Sequence, residues 1–364
     1  MNLKRTKIRL YPTKSQERHL DDTLEICRGL YNSLLNSRKC EYEVNEKSLS
    51  LHDQIRAITS YKPDFPELKT VHSQVLQNVA VRIDLAFQAF FQRLKKGDAP
   101  GFPRWKGEGY DSFTYPQTGF SIQEGSITIS KVGTIKAVVH REVTGKIKTC
   151  TIRRQGEKWY ASFSHEVEEE LLPPTGEATG IDVGIEKFAA LSDGTYIDNP
   201  RFFRKEEKAL AKAQRKLARQ KKGSKARRKA KKIVRCVHER IANRRHNFVH
   251  QATRKLVTTF DFIAVEKLKV QNMQGNHCLA KSIADASWSM FRQVLTYKAE
   301  NAGRKIVEVN PAYTSQDCSG CGHRAKKTLK ERWHFCPICG LSLDRDVNAA
   351  VNILQTALGI QGVR

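Results

Sequence analysis

Apolar residues recur at three- and four-residue steps over two long stretches near the amino terminus. The first holds Leu20, Leu24, Cys27, Leu30, Tyr31, Leu34 and Leu35, the second Val75, Leu76, Val79, Ile83, Phe87, Phe90, Phe91 and Leu94. That spacing is the period of an amphipathic helix, so residues 13–95 read as a helical domain. Ahead of them Leu3, Ile8 and Leu10 alternate loosely and predict a strand that ends at Tyr11-Pro12. After the turn-rich break Lys96–Gly101 the period falls to two: Ile127 and Ile129, then Ile135, Ala137 and Val139, then Trp159, Ala161 and Phe163. Glycines at 125, 133 and 156 punctuate these runs, which predicts hairpins of a small antiparallel barrel or sandwich over roughly 102–166. The acidic, proline-bearing stretch Glu166–Pro174 reads as a linker.

From Ala178 the texture changes again. Ala178–Ile185 and Phe188–Leu191, followed by the turn Ser192-Asp193-Gly194, predict a meander of short strands. Leu210, Ala213 and Leu217, then Ile233, Val237, Ile241 and Phe248, form a thin stripe that predicts two long helices joined near Gly223-Ser224. Strand patterns at Phe260–Glu266 and Lys305–Val309 flank a helix from about Ile283 to Ala302, and this alternation predicts an α/β domain.

Charge narrows the choice of partner. The 364 residues carry 64 Lys or Arg against 38 Asp or Glu, a formal net charge of +26, with 39% hydrophobic residues. The length and apolar content support two or three domains with real cores and exclude a disordered tail. A field of this sign favours a phosphate polymer over an acidic metabolite. Much of it is concentrated: residues 201–245 hold 20 Lys or Arg against three Glu, a density that marks a polyanion contact. With no signal-peptide pattern and no apolar run of membrane-spanning length, a soluble cytoplasmic protein is expected.

Nine cysteines, an odd number in a long chain without an export signal, predict reduced thiols. Cys27, Cys40, Cys150, Cys236 and Cys278 are isolated and read as ordinary side chains. Cys318, Cys321, Cys336 and Cys339 are different: two C-x-x-C pairs fourteen residues apart match the spacing of two knuckles around zinc. Gly320, Gly322 and Gly340 sit where such knuckles turn, and Pro337 lies inside the second. Four thiolates leave no open coordination position, so the zinc is expected to be structural, with His323 and His334 unneeded as ligands.

Three acids stand out by place. Asp182 lies in an otherwise apolar and glycine strand, Glu266 ends a second strand, and Asp344-Arg345-Asp346 opens a final helix with Ala349, Ala350, Ile353 and Leu354 on its apolar face. An unpaired carboxylate in such a strand is costly to bury. Acids from three elements can converge on two divalent metals and hydrolyse a phosphodiester, in the manner of ribonuclease H.

These blocks carry a resemblance. Gly180–Ile185, Val265–Leu268, Tyr313–His323 and Asp344–Ile353, with Ile8–Pro12 and Gly101–Arg104 in the amino-terminal half, resemble the signature segments of TnpB, a family of transposon-encoded RNA-guided DNA endonucleases. The resemblance covers essentially the whole chain. It implies a multidomain α/β architecture with β-barrel and helical parts. A wedge-like barrel would be formed by residues 1–12 and 96–172, and a helical recognition domain by 13–95. An RNase H-fold nuclease domain of RuvC type would span 177–313 and 341–364, interrupted by a zinc ribbon at 314–340. It also implies Asp182, Glu266 and Asp346 as catalytic residues holding two Mg2+, with Asp344 the ambiguous neighbour of Asp346, and Cys318, Cys321, Cys336 and Cys339 as zinc ligands. The implied partners are a guide RNA with a scaffold from the transposon end and double-stranded DNA beside a short flanking motif, bound by a monomeric protein. The few residues after the last helix leave no long carboxyl-terminal tail, so no function of one is expected.

Overall fold

In the computed structural model Pro12 closes a ten-residue strand, β1 (Asn2–Tyr11), and Thr13 at once caps the helix that follows, α1 (Lys14–Asn45). Thr13 and Gln16 exchange side-chain and backbone hydrogen bonds in a capping box, which satisfies two of the helix's orphan amides. The structure describes residues 2–140, 142–168, 171–325 and 331–359, and the chain divides into two compact units, Met1–Glu168 and Glu169–Arg364.

In the first unit α1 is followed by α2 (Leu51–Tyr61) and α3 (Ser73–Lys95). Their inward faces bury Leu20, Leu34, Leu35, Leu76 and Ile83 completely or nearly so. Six further strands follow: β2 (Ser112–Tyr115), β3 (Phe120–Gln123), β4 (Ser126–Ile129), β5 (Gly133–Val138), β6 (Ile147–Gln155) and β7 (Lys158–Val167). They join β1 in one sheet of order β2-β6-β7-β1-β5-β4-β3. The period-two runs point Ile127, Ile129, Ile135, Trp159, Ala161 and Phe163 into the core, as alternation requires.

The sheet does not close into a barrel. β2 and β3 are its two edges, and no pairing joins them among the described residues. Helix α3 packs beside β2: Arg82 donates to the Ser112 carbonyl at 2.6 Å and to Thr114 Oγ1 at 2.9 Å. The expected linker is also shorter than its charge suggests. Glu166 belongs to β7, where Lys148 pairs with it at 2.9 Å; Glu169 and Glu170 of that stretch lie outside the described residues.

The second unit opens with β8 (Ala178–Val183), β9 (Lys187–Leu191) and β10 (Tyr196–Asp198), then the basic helices α4 (Phe202–Ala218) and α5 (Lys225–Thr259). Next come β11 (Phe262–Glu266), the short α6 (Val270–Met273) and α7 (Ala280–Ala286), α8 (Trp288–Asn301) and β12 (Lys305–Val309). A two-stranded ribbon of β13 (Trp333–Phe335) and β14 (Ser342–Asp344) precedes the last helix, α9 (Arg345–Leu358). The five-stranded sheet runs β10-β9-β8-β11-β12, antiparallel through the meander and parallel across β8, β11 and β12. The helix expected over 283–302 is two helices, broken at Ser287, whose φ of 59° ends one and starts the other.

Helices α4 and α5 meet over a small core of Leu210, Val237 and Ile241, with Val234 in the place expected of Ile233, which is 46% exposed. So little apolar area leaves polar anchors to position the pair. Glu206 accepts Arg244 at 2.9 Å and Arg240 at 3.3 Å. Asp285 of α7 accepts the Phe203 amide at 2.9 Å, capping α4 from another element, and holds Arg245 of α5 at 2.8 Å. Among the described residues no helix is long and apolar enough to cross a membrane.

Candidate active site

Register alone brings two of the acids together. β8 and β11 are parallel, and Ile181 pairs with Val265, so Asp182 and Glu266 come next on adjacent strands, where neighbouring chains run about 4.8 Å apart. The third acid arrives on α9. Gly180, two residues before Asp182, lies directly under the Ala350 carbonyl and Leu354 amide of α9. Asp346 stands one helical turn before Ala350 and Asp182 two strand residues after Gly180, displacements of about 6 Å each.

Electrostatics records the convergence. The Asp182 carboxyl is pushed well above the usual carboxylate range, by burial first and then by Glu266 and Asp346, with Arg345 opposing. Burial also raises Glu266, against a hydrogen bond from Thr314. Asp346 is raised by burial and by Asp344, against the pull of Arg332 and Arg345. Three carboxylates that each disfavour their own charge form a donor set suited to divalent cations, which would relieve the mutual repulsion.

Asp344 has a different occupation. Its carboxylate accepts the amides of Asp346 at 2.8 Å and Val347 at 3.3 Å, making it the N-cap of α9. Arg332, which no sequence pattern singled out, reaches Glu186 at 3.0 Å and Asp346 at 3.9 Å. The cavity beside Glu266, lined by Val183, Leu268, Trp288 and Phe291 among others, has about 30 Å³. That is room for water and not for a nucleotide.

The four clustered cysteines do assemble. Their sulfurs all lie within 4.8 Å of one another, with Cys318–Cys339 at 3.6 Å and Cys321–Cys336 at 3.5 Å. Disulfide sulfurs stand about 2.05 Å apart, whereas a tetrahedral zinc with bonds of about 2.3 Å has sulfur–sulfur edges near 3.8 Å. The set therefore fits zinc. Both knuckles are built alike: Gly322 donates to the Cys318 carbonyl at 2.8 Å and Gly340 to the Cys336 carbonyl at 2.9 Å, each glycine at φ 74°. The amides of Cys339 and Ile338 face Cys336 and draw its thiol down to about 6. Among the described residues the acids do not close to the same distance as the cysteines. Of the other cysteines, Cys27 and Cys150 are buried and Cys40, Cys236 and Cys278 exposed.

The first knuckle is fastened to α9. Asn348, fully buried, donates to the Asp317 carbonyl at 2.8 Å and accepts the Ser319 amide at 3.0 Å. Asn352 donates to the carbonyls of Thr314 at 2.8 Å and Asp317 at 2.7 Å, and Gln355 to that of Ser319 at 3.1 Å. Thr314 in turn donates its hydroxyl to Glu266 Oε1 at 2.6 Å.

Fold and site together define a mixed α/β protein with a carboxylate cluster at the carboxyl ends of two inner strands and a four-cysteine cluster nearby. A structure titled as the mini-RNA-guided endonuclease CRISPR-Cas_phi3 shares the fold, at a TM-score of 0.50 and 12% identity over 100% of this chain and 94% of that one. A family model described as a probable transposase of the OrfB IS605 type matches residues 162–277, a Cas12f1-like TNB domain model 288–353, and a helix-turn-helix model 1–47. Within that last span the structure has β1 and the whole of one unbroken helix, α1. Among curated proteins, the putative RNA-guided DNA endonuclease InsQ of Escherichia coli K12 is 33% identical over 96% of this chain and 90% of its own length. A putative RNA-guided DNA endonuclease of Streptomyces pristinaespiralis is 34% identical over 97% and 89%. The chain belongs to the transposon-associated TnpB family.

Proposed function

We propose that this protein is an RNA-guided DNA endonuclease that hydrolyses target DNA beside a short flanking motif. The observation that carries the reading is the convergence of Asp182, Glu266 and Asp346 from β8, β11 and α9 onto one like-charged site. The names of relatives matched over nine-tenths of their length, or close to it, support the same activity. The strand order of the second unit supports an RNase H-like domain of RuvC type over 177–313 and 341–364.

In this reading Asp182, Glu266 and Asp346 hold a pair of Mg2+ ions, and Cys318, Cys321, Cys336 and Cys339 hold a structural zinc in a ribbon spanning 314–340. When bound, the Mg2+ pair supplies an activated water and neutralises the leaving oxygen. The chain's own part is to fix the donors: β8 and β11 set two carboxylates by register, Asp344 starts α9 so that Asp346 falls in its first turn, and Arg332 and Arg345 moderate the charge. The basic faces of α4 and α5 bind nucleic-acid backbone, while base pairing to the guide reads sequence. The wedge-like sheet of 1–12 and 96–172 and the helices of 13–95 hold the guide scaffold and read the flanking motif, with Phe102 (47% exposed) and Trp105 (55%) as stacking side chains. One copy of the chain suffices.

The test is Mg2+-dependent cleavage of a plasmid library with a randomised flank. The protein is co-expressed with RNA from the 3′ end of its own locus, beside an Asp182→Ala control. Guide-dependent cutting that the control abolishes is expected. Guided binding without cutting under any divalent metal would make the protein a repressor, and strand transfer without a guide would make it a transposase of the same fold.

A further inference from the structure

We propose that Thr314 is a positioning residue for Glu266 and that it couples the first cysteine knuckle to the metal-binding carboxylates; this rests on the nuclease reading above. Thr314 is 8% exposed, and its hydroxyl has one proton to give. Two acceptors compete for it: Glu266 Oε1 at 2.6 Å and the Pro311 carbonyl at 3.2 Å. The shorter, charge-assisted bond wins, so Thr314 fixes one oxygen of Glu266.

The threonine cannot drift, because its own backbone is held from the opposite side. Asn352 takes the Thr314 carbonyl and, with Asn348 and Gln355, the backbone of Asp317 and Ser319 on either side of Cys318. These three side chains recur at four- and three-residue steps, one face of α9. Another face of the same helix packs on β8 through Ala350 and brings Asp346 to Asp182. Helix α9 therefore holds the knuckle with one face and the carboxylate site with another, and Thr314 closes the circuit through Glu266. Partners of this kind behind a ligand typically change metal affinity or activity by about 10–100-fold.

The experiment compares Thr314→Val, which keeps the shape and removes the hydroxyl, with Thr314→Ser, which keeps the hydroxyl. Mn2+ binding to the guide-free protein is measured by isothermal titration, alongside cleavage against Mg2+ concentration and bound zinc. Expected for Thr314→Val are Mn2+ affinity about 10-fold weaker and a matching rise in the Mg2+ needed for half-maximal cutting, with zinc content and guide binding unchanged. Thr314→Ser should stay within about twofold of the native protein. Equal Mn2+ affinity in all three, equal loss in both variants, or loss of zinc from Thr314→Val would each overturn the positioning role. Native protein whose Mn2+ binding is indifferent to Glu266→Gln would instead remove the nuclease reading, and this inference with it.

Discussion

Gly180 lies so close beneath the Ala350 carbonyl oxygen that a Cβ on the strand would occupy the space of the helix backbone. The contact sets how far α9 sits from β8, and so how far Asp346 sits from Asp182. Gly180→Ala must push the helix outward. A cost of about 1–3 kcal/mol is expected, and cleavage should fall further than stability because the acids separate. Thermal unfolding and cleavage rates measured together check this; a variant that loses stability but cuts normally would sink the link between spacing and activity.

Asp344 and Asp346 are two residues apart and do different work. Replacing the cap by alanine should cost about 1 kcal/mol of helix stability while leaving cleavage measurable. Asp346→Ala removes a carboxylate whose charge burial and Asp344 disfavour, so it should not lower melting without metal and should abolish cutting. If the two variants exchanged these behaviours, the assignment of Asp346 as the metal ligand would be wrong.

The raised carboxyl of Asp182 makes stability depend on pH with a definite sign. Between the ordinary carboxylate pKa of the unfolded chain, about 4, and the higher folded value, the folded protein keeps a proton that the unfolded chain has released. Stability from this group is therefore present at low pH and lost as pH rises through that window. Asp182→Asn removes the loss, so without metal the variant should melt higher than the native protein near neutral pH and equally near pH 4. Saturating Mg2+ should close the gap from the other side by stabilising only the native protein, by about 2.7 kcal/mol at a hundred times its dissociation constant.

The cysteine cluster should bind one zinc per chain. Cys321→Ser should lower zinc affinity and, through Asn348 and Asn352, loosen α9. Metal analysis by atomic emission and hydrogen exchange at α9 amides read the two effects separately. Zinc loss with unchanged α9 protection would show that helix and knuckle are not coupled.

Asp285 is 7% exposed and holds both the α4 amino terminus and Arg245. Removing one partner of such a pair costs about 3 kcal/mol. Asp285→Ala should therefore release α4 and α5 from the sheet, and limited trypsin digestion would cut first between residues 201 and 245.

The sequence showed these sites unevenly. The four cysteines and the three acids were legible because their chemistry is written in spacing and in charge placed among apolar residues. Thr314 and Arg332 were not, since a hydroxyl or a guanidinium has many uses and only the fold shows which carboxylate it meets. Hairpin positions such as Trp159 and Phe163 could be read from period two, but that period says nothing of whether the outermost strands, β2 and β3, pair to close the sheet. The break at Ser287 left no glycine or proline as a sign, because a serine adopts the left-handed conformation there.

The charge on α4 and α5 has a consequence for the life of the protein before it meets a target. Two acids, Glu206 and Asp285, tether a region with 20 cationic side chains, and a field of that density draws in any nucleic acid nearby. The free protein is therefore expected to hold whatever polyanion is at hand until salt or a better-fitting nucleic acid displaces it.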